Sequence, residues 1–431
     1  MNQTFYSKGL RNLSEKQHLI IKNLGPIKNC EIDLTKMMVL DGSQASGKST
    51  VAKTIFFFRT IKDDIVDSLI RPYADPVIQS EIQYRLSHKF EQLFGDNTDK
   101  NLFIAFEYAD GVHVELNSNQ PIKISKKIQN WYGKFFDVKL TTNDRIEIQK
   151  EANELFNDDK EIVYIPAGRS MLSILSESLS HIFFNFDDEQ KNMIDYCTTD
   201  YINRVTKIKP VFKSPEKLTS DINNKISNPE FLLLIREKIR SILQGKYKYL
   251  NGEEFLQLLG DDEEKIIKIK FASSGQQEIL WILNLIYYYL MKQKPTCFII
   301  EEPEAHLYPN SQKEVAEYIV LALSDKNECI LTTHSPYILG ALSNLLDAGR
   351  MKDEGYNISH LLEKENLTFG QLLKRSDFSA YFVDGGKLQN AVDSENGLIR
   401  NELIDGASDK INGFADDLMY LEREGKKNVG E

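Results

Sequence analysis

Short apolar runs bounded by turn residues recur along the chain, and between them apolar positions return every three to four residues. A half-buried strand alternates with period two and a helix presents its apolar face every 3.6 residues, so the two spacings separate the elements. His18–Asn23 (HLIIKN) and Cys30–Leu34 predict strands on either side of a Gly25-Pro26 turn, and Met37–Leu40 (MMVL) predicts a buried strand. From Ser49 onward, STVAKTIFFFRTIKDD predicts a helix. FIAFEY and VHVELN flank Asp110-Gly111, which predicts a type I′ hairpin in a small antiparallel sheet over about 100–126. Glu161–Ile165 (EIVYI), Thr296–Ile300 (TCFII) and Cys329–Thr332 (CILT) predict further short strands, with helices over Ser274–Met291 and Glu314–Leu323. Met171 to about Gln244 is mostly helical in pattern, interrupted near Pro210, Pro215 and Pro229.

Strands alternating with helices predict an α/β fold with a mixed, largely parallel central sheet. The expected division is a core of residues 1–165 and 265–340, a mostly helical insertion over 166–264, and an α-rich C-terminal region over 341–431. In that last region Leu403, Ile404, Ala407, Ile411, Phe414, Leu418 and Leu421 form an apolar stripe along Leu398–Glu424. It fits packing on the core or a docking surface. No repeat or sustained heptad occurs, so no coiled coil is expected.

Composition narrows the class. A chain of 431 residues, 41% hydrophobic and 27% charged, is expected to form two or three soluble globular domains. The net charge of −11 argues against a surface-wide nucleic-acid coat. The charge is uneven, however. Tyr201–Leu250 carries 11 Lys/Arg against 4 Asp/Glu, whereas Pro336–Glu431 carries 11 against 17. The basic stretch suits DNA phosphates, an acidic protein surface or a solvated helical face. The most apolar run, Ile279–Met291, is too short to cross a bilayer, and the N-terminal segment lacks the apolar stretch of a signal peptide. Cys30, Cys197, Cys297 and Cys329 stand far apart with no CxxC pair, so the expectation is neither disulfides nor zinc but a reducing cytoplasm.

The chemistry begins at Gly42-Ser43-Gln44-Ala45-Ser46-Gly47-Lys48-Ser49, which matches GxxxxGK[ST] in full and is followed by Thr50. The glycines let backbone N–H groups turn inward around a β-phosphate. Lys48 then reaches β- and γ-oxygens, the Ser49 hydroxyl ligates Mg²⁺, and the following helix points its positive end at the anion. The strand Thr296–Ile300 runs into Glu301-Glu302-Pro303-Glu304. Carboxylates at the C-terminal end of a parallel strand face the ligand crevice. There Glu301 is expected to hold the Mg²⁺ shell and Glu302 to polarise the attacking water; a solvated acidic turn is the plainer alternative. Ala272-Ser273-Ser274-Gly275-Gln276 opens a helix, where the serines serve either as caps or as anion ligands.

The order of phosphate loop, long insertion, SSGQQ turn, acidic strand end, then strand and His334 resembles the ABC-type ATPase heads of the SMC, RecF and OLD proteins. EEPEAHLYP (Glu301–Pro309) and THSP (Thr333–Pro336) resemble the RecF/OLD branch. VYIPAGRS (Val163–Ser170) is similar to standalone ATPases of prokaryotic antiphage systems such as Septu, PARIS and some retrons. The resemblance implies that Lys48 and Ser49 bind phosphate and Mg²⁺, that Glu301 takes the metal-associated acidic position, and that Glu302 is the catalytic base. It makes His334 the switch histidine that senses the γ-phosphate. Ser273, with Ser274, Gly275 and Gln276, becomes the signature turn, acting on ATP held by a second subunit. A homodimer or higher even-numbered oligomer follows, with a separate effector, a nuclease, and with DNA or an acidic DNA mimic as trigger, away from any membrane. Two departures point to slow turnover: Glu301 stands where Asp is usual, and Ser274 replaces a glycine. No residue stands out as the glutamine loop, Gln79, Gln83 and Gln92 being the nearest choices. Arg169 suits either a phosphate or partner contact or a cap on a loop carbonyl. The C-terminal region offers neither an HNH-like cluster nor a DxD motif, so no nuclease is expected in this chain. A DNA-repair ATPase and a nucleotide-dependent scaffold with little turnover remain as alternatives.

Overall fold

The computed structural model describes residues 16–70, 79–95, 99–118, 122–136, 138, 140–172, 195–213, 229–259, 265–323 and 326–423. Its first strands are β1 (His18–Leu24), β2 (Ile27–Asp33) and β3 (Met37–Asp41), followed by α1 (Lys48–Leu69) and α2 (Gln79–Phe94). A small antiparallel unit follows: β4 (Phe103–Ala109), β5 (Val112–Asn117), β6 (Lys123–Ile124) and α3 (Lys126–Gly133). Next come α4 (Arg145–Leu155), β7 (Glu161–Ile165), α5 (Tyr196–Ile208), α6 (Pro229–Leu243), β8 (Gly245–Leu250), β9 (Glu253–Leu258) and β10 (Ile266–Lys268). The remainder is α7 (Ser274–Lys292), β11 (Thr296–Glu301), α8 (Pro309–Leu321), β12 (Glu328–Thr333), α9 (Pro336–Asp353), α10 (Ser359–Lys364), β13 (Phe378–Asp384), β14 (Lys387–Asn390) and α11 (Asn401–Arg423).

The central sheet has 11 strands in the order β6-β5-β4-β1-β2-β14-β13-β3-β12-β11-β7. Its two halves differ as their sequences do. The half built from β13, β3, β12, β11 and β7 is parallel. There β3 and β11 are buried at every residue, because helices cover both faces. In the antiparallel half, β4 and β5 alternate buried and half-buried positions. One apolar cluster packs α1, with Phe56, Phe57 and Phe58, against the sheet and the antiparallel unit. The other packs α7, α8 and α9 with the insertion helices.

Two regions add strands to their expected helices, and one turn differs from its expected type. The C-terminal region is not only helical: β13 lies in the middle of the sheet, parallel to β3, and β14 turns back beside β2. The insertion also carries β8 and β9, which join β10 of the following core segment in a second, three-stranded sheet, and their hairpin turns at Asn251-Gly252 with φ of 51° and 84°. At Asp110-Gly111 the hairpin forms, but only Gly111 takes a positive φ, so the turn is not type I′. Pro215 lies outside the described residues. All four cysteines are buried and free. Among the described residues no helix is long and apolar enough to cross a membrane.

Part of the basic stretch is turned inward, while Lys207, Arg240 and Lys246 stay exposed. Lys209 is 2% exposed and pairs with Glu254 at 2.6 Å, and Glu254 also accepts from Tyr247 Oη and Trp281 Nε1. Arg204 bonds Glu161, Asp200 and the Ile162 carbonyl, and Lys238 faces Glu317 at 3.6 Å. Removing one partner of such a pair leaves a buried charge alone. Lys209→Ala should therefore lower stability by about 3 kcal/mol in urea unfolding, while exposed Lys207→Ala should stay within about 0.5 kcal/mol. Equal midpoints for the two variants would show that Lys209 is solvated after all.

Candidate functional site

The parallel strands end level with one another. Asp41 at the end of β3 pairs with Thr333, and Thr332 of the same strand, β12, pairs with Glu301 of β11. The phosphate loop leaves from Asp41, and its shape needs its glycines: Gly42 has φ 148° and Gly47 φ 109°. Ala45 also takes a left-handed φ of 61°. The N-terminus of α1 has no side-chain cap and no acidic residue in its first turn, so its leading N–H groups are left for an external anion. Lys48 is buried and folds back over the loop, donating to the carbonyls of Gly42 at 2.6 Å and Ser43 at 2.9 Å. Burial lowers its affinity for the proton, and Glu302, Asp41, Glu304 and Glu301 oppose that shift. Burial pushes the Asp41 carboxyl up, against the Gly42 N–H, Lys48 and His334, which pull it down.

Glu301 ends β11 with its side chain buried; Oε2 accepts from the Ala167 N–H at 3.2 Å, and the Tyr164 hydroxyl stands beside the carboxylate. A buried carboxylate at a strand end level with the start of the phosphate loop suits Mg²⁺, which takes one or two protein oxygens and fills its octahedron with phosphates and water. The described residues hold no group of three or more His, Cys, Asp or Glu that would make an all-protein cage. Ser49, exposed at the start of α1, supplies the hydroxyl such a site uses.

Glu302 differs from its neighbours. It has φ 42°, uncommon for a residue with a Cβ, and its carboxylate is 35% exposed. Its Oε1 lies 3.7 Å from His334 Nδ1. Glu304, which the sequence reading quoted without a role, anchors the histidine. Its buried Oε1 accepts from Thr333 Oγ1 at 2.7 Å and from the His334 N–H at 2.8 Å, and lies 3.4 Å from His334 Nδ1. Ser335 then caps α9, accepting from Tyr337 and Ile338.

Arg169 is fully buried. Its guanidinium donates to four carbonyls, those of Pro166 at 2.8 Å, Glu301 at 2.7 Å, Glu302 at 2.8 Å and Glu278 at 2.9 Å. That removes the phosphate or partner contact and leaves the carbonyl cap. Among the glutamines on α2, Gln83 serves the fold by donating to the Ile122 carbonyl at 3.0 Å.

The SSGQQ turn is held by its own helix and its neighbours. Ser273 caps α7 in a reciprocal box with Gln276, whose amide also reaches the Leu243 carbonyl at 2.8 Å. Gly275 packs against the turn after Glu302, where a Cβ would come within 2.7 Å of the His306 carbonyl. None of the bonds of Ser273 or Gln276 among the described residues runs to the phosphate loop. A cavity of about 620 Å³ runs from Ser49 and Thr50 past Lys53 to the Gly25-Pro26 turn and Phe94. A larger one, about 710 Å³, lies at the opposite end of the parallel strands, beside Arg59 and Lys160, whose charges are met by Asp158 and Glu328.

Residues 17–339 match the AAA ATPase domain family, and the chain belongs to it. Among curated proteins, a probable serine/threonine-protein kinase of Dictyostelium discoideum is 23% identical over 317 residues, covering 69% of this chain. The chain spans only 42% of that relative's length. Among solved structures, an SMC head bound to the C-terminal winged-helix domain of ScpA shows 12% identity and a TM-score of 0.38, covering 87% of this chain and 96% of that one. A Pyrococcus furiosus SMC head with an extended coiled coil, bound to the C-terminal domain of ScpA, shows 13% and 0.39, covering 87% and 95%. The SMC head of Thermotoga maritima shows 12% and 0.32, covering 76% and 91%.

The loop's single cation, Lys48, makes a direct test. Lys48→Ala should weaken ATP binding by on the order of a hundredfold, the worth of a charge-assisted hydrogen bond or two, as read by titration of a fluorescent ATP analogue. Unchanged affinity would remove the loop as the nucleotide site.

Proposed function

We propose that this chain is an ABC-type, Mg²⁺-dependent ATPase whose nucleotide state drives a conformational switch controlling a separate effector. The observation that carries the hydrolytic reading is the contrast between the three glutamates. Glu301 and Glu304 are buried and engaged, whereas Glu302 is half-open, beside His334 and within the electrostatic reach of Lys48.

In this reading the N–H groups of Gly42–Gly47 cradle the β-phosphate. Lys48 exchanges its two carbonyls for β- and γ-oxygens, and His334 senses the γ-phosphate. Mg²⁺, when bound by Ser49 and Glu301 with Thr50 alongside, neutralises charge on the phosphate oxygens. Glu302 accepts a proton from water as the water oxygen attacks phosphorus; the bond to the β–γ bridging oxygen breaks, and ADP leaves with the electron pair.

The site is incomplete within one chain if Ser273, Ser274, Gly275 and Gln276 act on ATP, since that turn bonds elsewhere. A head-to-tail dimer supplies it to the neighbouring nucleotide. Phe271 and Tyr308, 72% and 74% exposed on the flanks of the turn, support a protein-facing surface there. The effector as a nuclease, and antiphage defence as the setting, rest on the resemblance of VYIPAGRS and the surrounding motifs. Against the DNA-repair alternative, Lys209 and Lys238 of the basic stretch are committed to internal carboxylates and do not face a ligand.

Glu302→Gln should bind ATP normally, turn it over about a hundredfold more slowly, and accumulate ATP-bound dimers in light scattering after size exclusion. Turnover at the wild-type rate would remove Glu302 as the base, and an ATP-loaded variant that stays monomeric would remove the composite site.

A further inference from the structure

Arg169 lies where three parts of the site meet, and none of the roles assigned above uses it. It follows β7 by a short turn, yet its donors reach the ends of β7 and β11 and the second turn of α7. Its side chain is 0% exposed. A guanidinium in such a place must satisfy its donors inside the protein, and its planar fork suits several carbonyls at once. The counter-charge is Glu278, whose Oε2 lies 3.5 Å from Arg169 Nε. Glu278 Oε1 in turn accepts from the Ser170 N–H at 3.2 Å, closing a ring between the arginine's own turn and α7.

The destination of the fork matters most. One arm holds the Glu301 carbonyl and the other the Glu302 carbonyl, the two peptides on either side of the β11 terminus. Glu302 needs such a hold because its φ of 42° is a sparsely populated conformation for a residue with a Cβ, and it persists only when its surroundings over-determine it. The Glu302 N–H is fixed by the Thr332 carbonyl at 2.9 Å; Arg169 fixes the other side. With that carbonyl released, the peptide can rotate toward the ordinary α or β region and swing the carboxylate away from His334.

We infer that Arg169, charge-balanced by Glu278, is a positioning residue that locks the Glu302 peptide in its left-handed conformation and so aims the carboxylate. This rests on the assignment of Glu302 as base. It also ties that carboxylate to the helix opened by the SSGQQ turn.

The test is a double-mutant cycle read by single-turnover hydrolysis of radiolabelled ATP, with ATP affinity and thermal midpoint measured on the same preparations. Arg169→Lys keeps the charge but cannot span the carbonyls, so the rate should fall by on the order of tenfold to a hundredfold, with ATP affinity within about twofold. In the Glu302→Gln background the same substitution should cause no further fall, because a group that acts only through Glu302 has nothing left to aim. Glu278→Gln, nearly isosteric and leaving the arginine in place, repeats the cycle should Arg169→Lys not fold, with the same pattern expected. An unchanged rate in both variants overturns the inference. So does an equal fall in the Glu302→Gln background, or a loss of ATP affinity that matches the loss of rate, since a merely structural arginine behaves that way. If Glu302→Gln itself turns over normally, the base assignment falls first and the inference with it; a slow Glu302→Gln beside normal Arg169→Lys and Glu278→Gln overturns the inference alone.

Discussion

The register between β3, β12 and β11 is the constraint on which the site depends. Because Asp41 stands opposite Thr333 and Thr332 opposite Glu301, three chain segments from distant parts of the sequence finish at one level. A one-residue slip in any pair would turn every side chain of that strand to the other face. Glu301 would then point into a helix layer rather than toward the crevice. The slip is prevented by the burial of both faces of β3 and β11, where each residue has an apolar neighbour to lose.

That register concentrates acid. Asp41, Glu301 and Glu304 are all buried near one another, and a buried carboxylate without compensation costs several kcal/mol. The compensation is local and specific. Lys48 lies among them, the N–H groups of Ala167 and His334 and the hydroxyl of Thr333 donate to them, and Arg169 satisfies the carbonyls that the strand ends leave over. Buried carboxylates gathered at one strand edge are what a cation-bearing ligand would bind, so the cost of burying this acid and its binding capacity have one cause.

Much of this was legible in the chain because it is local. The phosphate loop announces itself by spacing, and β7, β11 and β12 by short β-branched runs before acidic or polar turns. What escaped depends on partners far away in sequence. Glu304 reads as one more acid in an acidic turn until the β12 end folds back to meet it. Arg169 fits a surface contact equally well until α7 covers it. β13 is a short run, FSAYFVD, of mixed burial, and nothing within ten residues says that it enters the sheet beside β3. β8 and β9 are a different case: Asn251-Gly252 between alternating segments was a hairpin signal, obscured by the lysines of GKYKYL.

The position of β13 bears on the phosphate loop itself. A Cβ on Gly42 would meet the Val383 carbonyl of β13 at 2.4 Å, far inside any tolerable contact. The β13–β14 turn also holds the other side of the crevice, since the Gly386 carbonyl accepts from the N–H groups of Lys28 at 2.8 Å and Asn29 at 3.1 Å. Gly42 is thus required twice over, once by its φ of 148° and once by a strand that lies beyond the last residue of the family match, 339. The loop that gives the chain its class is shaped by a segment outside the region that defines that class. The C-terminal hairpin, wedged between β2 and β3, therefore belongs physically to the phosphate loop's surroundings, whatever else the region after it does.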